Sequence, residues 1–279
     1  MRLMKITIDL LKQMALTIYD EVHPLLGTEE AKKKLNRGAG GDISMHIDIV
    51  AENTLIKILE SFGVDLLLIS EEIGEKYIGN KETAIKNQNK LIVDPIDGSN
   101  NAVRGVPFCS VSIAFAIGDK MSDIEKGVVI DLISKDLYWA ERGKGAYLND
   151  KRISVSKNDI NDHCIFEIDF RLNDIMSALI HYKNIVEKIY RVRVMGSCAL
   201  SLCQVAKGSI DAYISFKESM RLVDAAAGML ILREAGGNIF TFEGKDFNKD
   251  LSIDSRFAFI ASNSKLERFF KSELVKLNS

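Results

Sequence analysis

The stretch that most constrains this chain is Asp94-Pro95-Ile96-Asp97-Gly98-Ser99-Asn100, set directly after the apolar run Leu91-Ile92-Val93. A short apolar run bounded by turn residues reads as a buried strand, so Asp94 leaves the strand's carboxyl end and Asp97 follows within one turn. Pro95 fixes its own φ and biases Asp94 toward an extended backbone. Gly98 permits a tight turn, and Ser99 suits the cap of a helix opening there. Two carboxylates then stand beside a helix N-terminus whose free amides favour an anion. That arrangement suits cations held next to a phosphate. Asp97-Gly98 by itself is also a common solvated turn pair; the seven residues together each have a task in a metal–phosphate site.

The same stretch closely resembles the signature of the inositol monophosphatase and fructose-bisphosphatase superfamily, metal-dependent sugar-phosphate phosphatases. Two further segments extend the resemblance. Ser70-Glu71-Glu72 follows the short apolar strand Leu66 to Ile69 and matches the family's Glu-Glu step, although adjacent acids at a strand end are ordinarily just solvated. Asp224-Ala225-Ala226-Ala227-Gly228 resembles a Trp-Asp-x-Ala-Ala-Gly motif, with Val223 where the family usually has Trp. At the head of an apolar helix, Asp224 is also a natural N-cap. Capping and metal ligation are compatible, because a carboxylate has two oxygens.

By this resemblance the metal ligands are Glu71, Asp94, the Ile96 carbonyl, Asp97 and Asp224, with Glu72 behind them. All are hard oxygen donors, a set that suits Mg²⁺ or Mn²⁺ over zinc or copper. The resemblance implies two or three Mg²⁺ ions, Mn²⁺ being able to substitute, and direct attack by a water. Asp48 lies in the first turn of a helix over residues 47 to 62, where a carboxylate is favoured by the dipole alone. The family pairs an acid at that place with the signature hydroxyl, here Ser99, to aim the water or accept its proton. Asp48, Glu71 and Ser99 are thus the expected catalytic residues. Asp97, Gly98, Ser99, Arg193, Ser197, Cys198 and Lys217 are the expected substrate contacts.

Lys217 stands seven residues before Asp224, where inositol monophosphatases generally carry an acid. Archaeal-type dual-activity members tend to have a basic residue there, and an Arg matching Arg193. Either side chain could serve the second phosphate of a bisphosphate, Arg as a fork and Lys as a point charge, or be a plain surface charge. A one-residue slip would restore an acid at Glu218. The leading reading is therefore Mg²⁺-dependent hydrolysis of fructose 1,6-bisphosphate with inositol monophosphatase activity. The alternatives are an inositol monophosphatase, a nucleotide 3′-phosphatase of the same superfamily, or a non-catalytic regulatory protein that binds sugar phosphates.

Composition narrows the partners. The 279 residues carry a formal net charge of −2, with 47% hydrophobic and 27% charged side chains, ordinary values for a globular chain. There is no general attraction to nucleic acid or anionic membrane. Lys5, Asp9, Lys12 and Asp20 interrupt the amino-terminal apolar residues, and the longest apolar run, Ala225 to Leu232, is far too short to span a bilayer. A cytoplasmic protein is expected, and the resemblance implies a homodimer. Cys109, Cys164, Cys198 and Cys203 form no C-x-x-C pair and read as buried thiols rather than a disulfide framework or zinc site.

Along the chain, Ile8, Leu11, Ala15, Ile18 and Val22 fall at helical spacing and Pro24 closes the segment. Gly38, Gly40 and Gly41 make a permissive loop before Asp42, and residues 73 to 89 read as a polar surface loop. Strands are expected over 109–117, 127–133, 137–140, 164–168, 191–195, 210–216 and 257–260, and helices over 174–188, 199–207, 223–235 and from Asn263. The fold class is α+β, and the resemblance implies a layered α/β/α/β/α sandwich. A boundary near residue 155 would divide an amino-terminal portion (1–155), carrying most metal ligands, from a carboxy-terminal one (156–279), carrying Asp224 and substrate contacts.

Overall fold

The computed structural model describes residues 6–37, 43–170 and 175–277, with side chains except at 34–37, 43, 175 and 217–219. The expected glycine loop through Asp42 lies outside the described residues. In chain order the elements are α1 (Ile8–Val22), β1 (Lys34–Arg37), β2 (Ile43–Met45), α2 (His46–Phe62), β3 (Leu66–Ser70), β4 (Gly74–Ile78), α3 (Lys81–Asn87), β5 (Asn89–Asp97), α4 (Ser99–Arg104) and β6 (Ser110–Ile117). Then come β7 (Ile124–Asp131), β8 (Leu137–Glu141), β9 (Gly145–Leu148), β10 (Lys151–Ile153), β11 (Ile165–Asp169), α5 (Ile175–His181), α6 (Lys183–Val186) and β12 (Arg191–Arg193). The chain closes with α7 (Cys198–Ala206), β13 (Ala212–Arg221), α8 (Leu222–Glu234), β14 (Asn238–Phe240), β15 (Arg256–Ser262) and α9 (Ser264–Leu277).

Two large sheets organise the molecule. Eight strands run in the order β10-β9-β8-β7-β6-β5-β3-β4, and five in the order β12-β11-β13-β15-β14. Helices α1 and α2 cover one face of the first sheet, α7 and α8 lie between the sheets, and α6 and α9 cover the far face of the second. The result is the five-layered sandwich, with one apolar core around the central helices that reaches both sheets and a further core beneath each outer helical layer. The amphipathic face of α1 does what its spacing predicts: Ile8, Leu11, Ala15, Ile18 and Val22 are all buried, and Thr7 caps the helix by accepting from the Leu10 amide at 3.2 Å.

Helix α8 is apolar all round, and its position explains why. It is buried on every side from Leu222 to Leu232 because sheets stand on both faces of its layer. Burying Met229, Leu230, Ile231 and Leu232 contributes roughly 1.5–3 kcal/mol per side chain. Two glycines allow the approach. A Cβ on Gly127 of β7 would come 3.0 Å from the Ala227 carbonyl oxygen, and one on Gly228 would come 2.8 Å from the Leu202 Cβ of α7. Helix α8 therefore rests almost backbone-to-backbone on the first sheet, and its amino end is held in a fixed place.

The structure departs from the sequence expectations in three places. Residues 73 to 89 hold β4 and α3 rather than a loop. As an edge strand β4 is exposed through its middle three residues, and α3 buries only Ala84, so neither shows the apolar period that would announce it. The segment expected as one helix from 174 forms α5 and α6, broken at Tyr182. Finally, β5 continues through Asp97 instead of ending at Val93.

Candidate metal centre and active site

That extension of β5 is what builds the site. In a regular strand, side chains three apart point to opposite faces. Here Asp94 pairs with Ser112 of β6 while Asp97 pairs with Ser110, so three steps on one strand match two on the other. This is a β-bulge, placed where Pro95 has no amide to give the ladder. It turns Asp94 and Asp97 toward one acidic cluster. Strand β3 runs parallel to β5 and ends at Ser70, so Glu71 emerges at the same carboxyl end, where open sheets place their ligands. Asp224 comes from the adjacent helical layer, in the first turn of α8.

Carboxylate oxygens of Glu71, Asp94 and Asp224 lie within 4.8 Å of one another, and all three residues are buried. The Asp94 Oδ1 accepts from the Ile96 amide at 3.1 Å, whereas its buried Oδ2 has no hydrogen-bond partner. Asp97 lies outside the triplet. Its Oδ2 accepts from the Ser197 hydroxyl at 2.6 Å and from the Ala199 amide at 2.7 Å, which ties β5 to the start of α7. Glu72 accepts from the Ser44 hydroxyl. Ser99 is the first residue of α4 rather than its cap, a position held by Gly98 at φ +89°. A side chain at Gly98 would come 3.1 Å from the Gly196 carbonyl oxygen, so that turn needs glycine twice over.

Asp48 sits one layer behind, at the head of α2, with Oδ2 accepting from the Met45 amide at 2.8 Å. Its Oδ1 is buried without a partner. The Ser99 hydroxyl donates to the Ile96 carbonyl at 3.0 Å and also acts to lower the Asp48 pKa. The expected pairing of Asp48 with Ser99 is thus a neighbourhood, in which the hydroxyl faces both groups.

Burial dominates the electrostatics. Desolvation, reinforced by neighbouring carboxylates, pushes Glu71 up to about 8 and raises Asp94 well above the usual carboxylate range. Desolvation likewise brings Asp97 to about 7, against the bonds from Ser197 and Ala199. It brings Asp48 to about 6, against the Met45 amide and Ser99. The acids are held together despite repulsion, which is the charge pattern a multivalent cation relieves. Three converging hard oxygens, one of them buried and unpartnered, fit a magnesium-type ion.

Above the acids lies a cavity of about 560 Å³ lined by Asp48, Glu71, Asp97, Gly98, Ser99, Ser197, Cys198 and Asp224 among others. The Ser197 hydroxyl is spent on Asp97, and burial holds the Cys198 thiol well above its usual range. Arg193 is not among the cavity-lining residues; it lies exposed on the edge strand β12, its Nη1 donating to the Val192 carbonyl. Lys217 falls within β13, and its side chain is outside the described residues. Three charged lining residues are not among those expected from the sequence. Glu167 and Asp169 project from β11, and Arg221 ends β13. An acid inside the apolar run Ile165-Phe166-Glu167-Ile168, and a lone cation inside Met220-Arg221-Leu222-Val223, were the available signals.

Comparison with known proteins agrees with this geometry. The profile of the inositol monophosphatase family matches residues 2–276. A fructose-1,6-bisphosphatase/inositol-1-monophosphatase of Methanothermobacter thermautotrophicus is 36% identical over 265 residues, covering 90% of each chain. A bifunctional NADP phosphatase/NAD kinase of Methanococcus maripaludis is 35% identical over 94% of this chain, which spans 48% of that longer protein. Among solved structures, an inositol monophosphatase–fructose 1,6-bisphosphatase superposes with a TM-score of 0.81 at 28% identity, covering 95% of this chain and 98% of the other.

Proposed function

The chain belongs to the inositol monophosphatase family and is a phosphatase; from that premise we propose that it hydrolyses fructose 1,6-bisphosphate to fructose 6-phosphate and inorganic phosphate, with activity on inositol monophosphates, using Mg²⁺. The observation that carries the reading is the convergence of Glu71, Asp94 and Asp224, from three separate segments, on one buried point beneath a sugar-sized cavity. The choice of substrate is supported by the relatives: one that is 36% identical over 265 residues is a fructose-1,6-bisphosphatase/inositol-1-monophosphatase.

Glu71, Asp94 and Asp224 hold the metal, with Asp97 and the Ile96 carbonyl adjoining them. When bound, Mg²⁺ neutralises charge on the phosphate and acidifies a water. The chain's own residues do the positioning. Ser99 Oγ orients the attacking water, and Asp48, ionised above about pH 6, receives its proton. The water oxygen bonds to phosphorus as the ester P–O bond breaks, and the departing sugar oxygen takes up a proton. Asp97, clamped by Ser197 and Ala199, keeps the carboxyl end of β5 in register with α7. No helix among the described residues is long and apolar enough to cross a membrane.

The test is phosphate release under Mg²⁺ from fructose 1,6-bisphosphate, inositol 1-phosphate, adenosine 3′,5′-bisphosphate and NADP. The proposal expects the first to be the best substrate and the second to be hydrolysed. A strong preference for NADP or the adenosine bisphosphate would overturn the substrate. Binding without release from any of the four would turn the protein into a regulatory sugar-phosphate binder.

A further inference from the structure

Among the described residues, Arg221 is a cation in direct contact with the acids. It ends β13 and precedes α8, flanked by Met220 and Leu222, both buried. Its backbone is therefore fixed, while its side chain, 19% exposed, reaches into the cavity it helps line. Its Nε donates to both carboxylate oxygens of Asp224, at 3.0 and 3.1 Å, and its Nη1 to Glu71 Oε1. The planar fork thus spans two acids from adjacent layers of the sandwich, which a single ammonium could not do in the same way.

We infer that Arg221 is a resident counter-cation that competes with the divalent ion for Glu71 and Asp224 and so sets the metal affinity of the site. The inference rests on the metal-site reading above. The oxygens that converge within 4.8 Å on a common point are drawn from the same two carboxylates that the guanidinium engages. A carboxylate has lone pairs for several donors, but a monovalent and a divalent cation on the same pair of acids repel each other. Loading the metal requires the guanidinium to swing away, and the adjoining cavity gives it room. Arg221 also keeps Glu71, Asp94 and Asp224 from repelling one another when metal is scarce. The site exchanges tight binding for reversible loading without unfolding.

The experiment measures Mn²⁺ binding by calorimetry at pH 8 for the wild type, Arg221→Gln and the charge-conserving Arg221→Lys, together with melting temperature in EDTA and in saturating Mn²⁺. Removing the charge is expected to tighten Mn²⁺ binding by roughly tenfold or more, the scale on which one neighbouring charge moves an ionic equilibrium. Arg221→Gln should melt below wild type in EDTA, and the gap should shrink or reverse in Mn²⁺; Arg221→Lys should bind Mn²⁺ nearer to wild type. If Arg221→Gln folds only with metal, it is purified with Mn²⁺ and challenged with chelator, where it should release the ion more slowly than wild type. Equal affinities, equal release rates and a melting gap indifferent to Mn²⁺ would overturn the inference while leaving the metal site standing. Failure of the wild type to bind Mn²⁺ at all would instead remove the metal-site reading beneath it.

Discussion

Replacing Asp94 by Asn should make the protein more stable in chelator and inactive in metal. Asp94 is fully buried and carries an unpartnered Oδ2, and one of its carboxylate oxygens lies within 4.8 Å of oxygens on Glu71 and Asp224. At that separation and an effective dielectric of about 20, two unit charges interact by roughly 3.5 kcal/mol. Desolvation, the largest influence, disfavours the charge, and repulsion from Glu71, Asp224 and Asp97 adds to it against the attraction of Arg221. Asn keeps the bond from the Ile96 amide through its own Oδ1 and removes the charge. Allowing for burial of the new amide, the net gain is about 2 kcal/mol, or roughly 4–8 °C in Tm for a chain of this size. The sign of the pH dependence is fixed. An acid whose folded pKa is raised above its unfolded value of 3.8 destabilises the fold increasingly as pH rises from that value, until its folded pKa is passed. Thermal melts in EDTA should therefore show the gap between Asn and Asp closing toward pH 4 and wider at pH 8.5. A variant that melts at or below wild type at pH 8.5, or a gap that does not change with pH, would refute the reasoning.

Two further outcomes follow from the site and its support. Ser99→Ala should lower kcat by about 10²–10⁴-fold, the range for loss of a group that positions or takes a proton, while Mn²⁺ affinity by calorimetry stays within about twofold of wild type; a large change in affinity would move Ser99 into the metal shell. Gly228→Ala forces a Cβ to 2.8 Å from Leu202 and 3.1 Å from the Ala199 carbonyl oxygen, and denaturant unfolding should show a loss of about 1–3 kcal/mol. An unchanged midpoint would mean that α7 and α8 can separate freely.

Much of the site was legible because its acids sit where elements begin or end, and those places have chemical signatures. Asp94 and Asp97 follow an apolar run, Glu71 follows another, and Asp224 and Asp48 head helices. What joins them was not legible. The bulge between Asp94 and Asp97 depends on how β6 pairs with β5, a long-range register that no local pattern encodes. Arg221 and Glu167 were passed over because a single charge inside an apolar segment reads as an element boundary, when each in fact projects from a buried strand into the cavity. The fold followed the same division. Helix α8 was legible as an apolar helix, while β4 and α3 hid because an exposed edge strand and a seven-residue helix carry no periodicity to read.

The central claim is that distant acids close around a divalent ion, and anomalous diffraction from a Mn²⁺-soaked crystal at neutral pH tests it most directly. The account predicts a manganese peak bounded by the carboxylates of Glu71, Asp94 and Asp224, with the Arg221 guanidinium withdrawn from Glu71. A well-ordered crystal with no peak among those oxygens, and Arg221 still bridging Glu71 and Asp224, would contradict it.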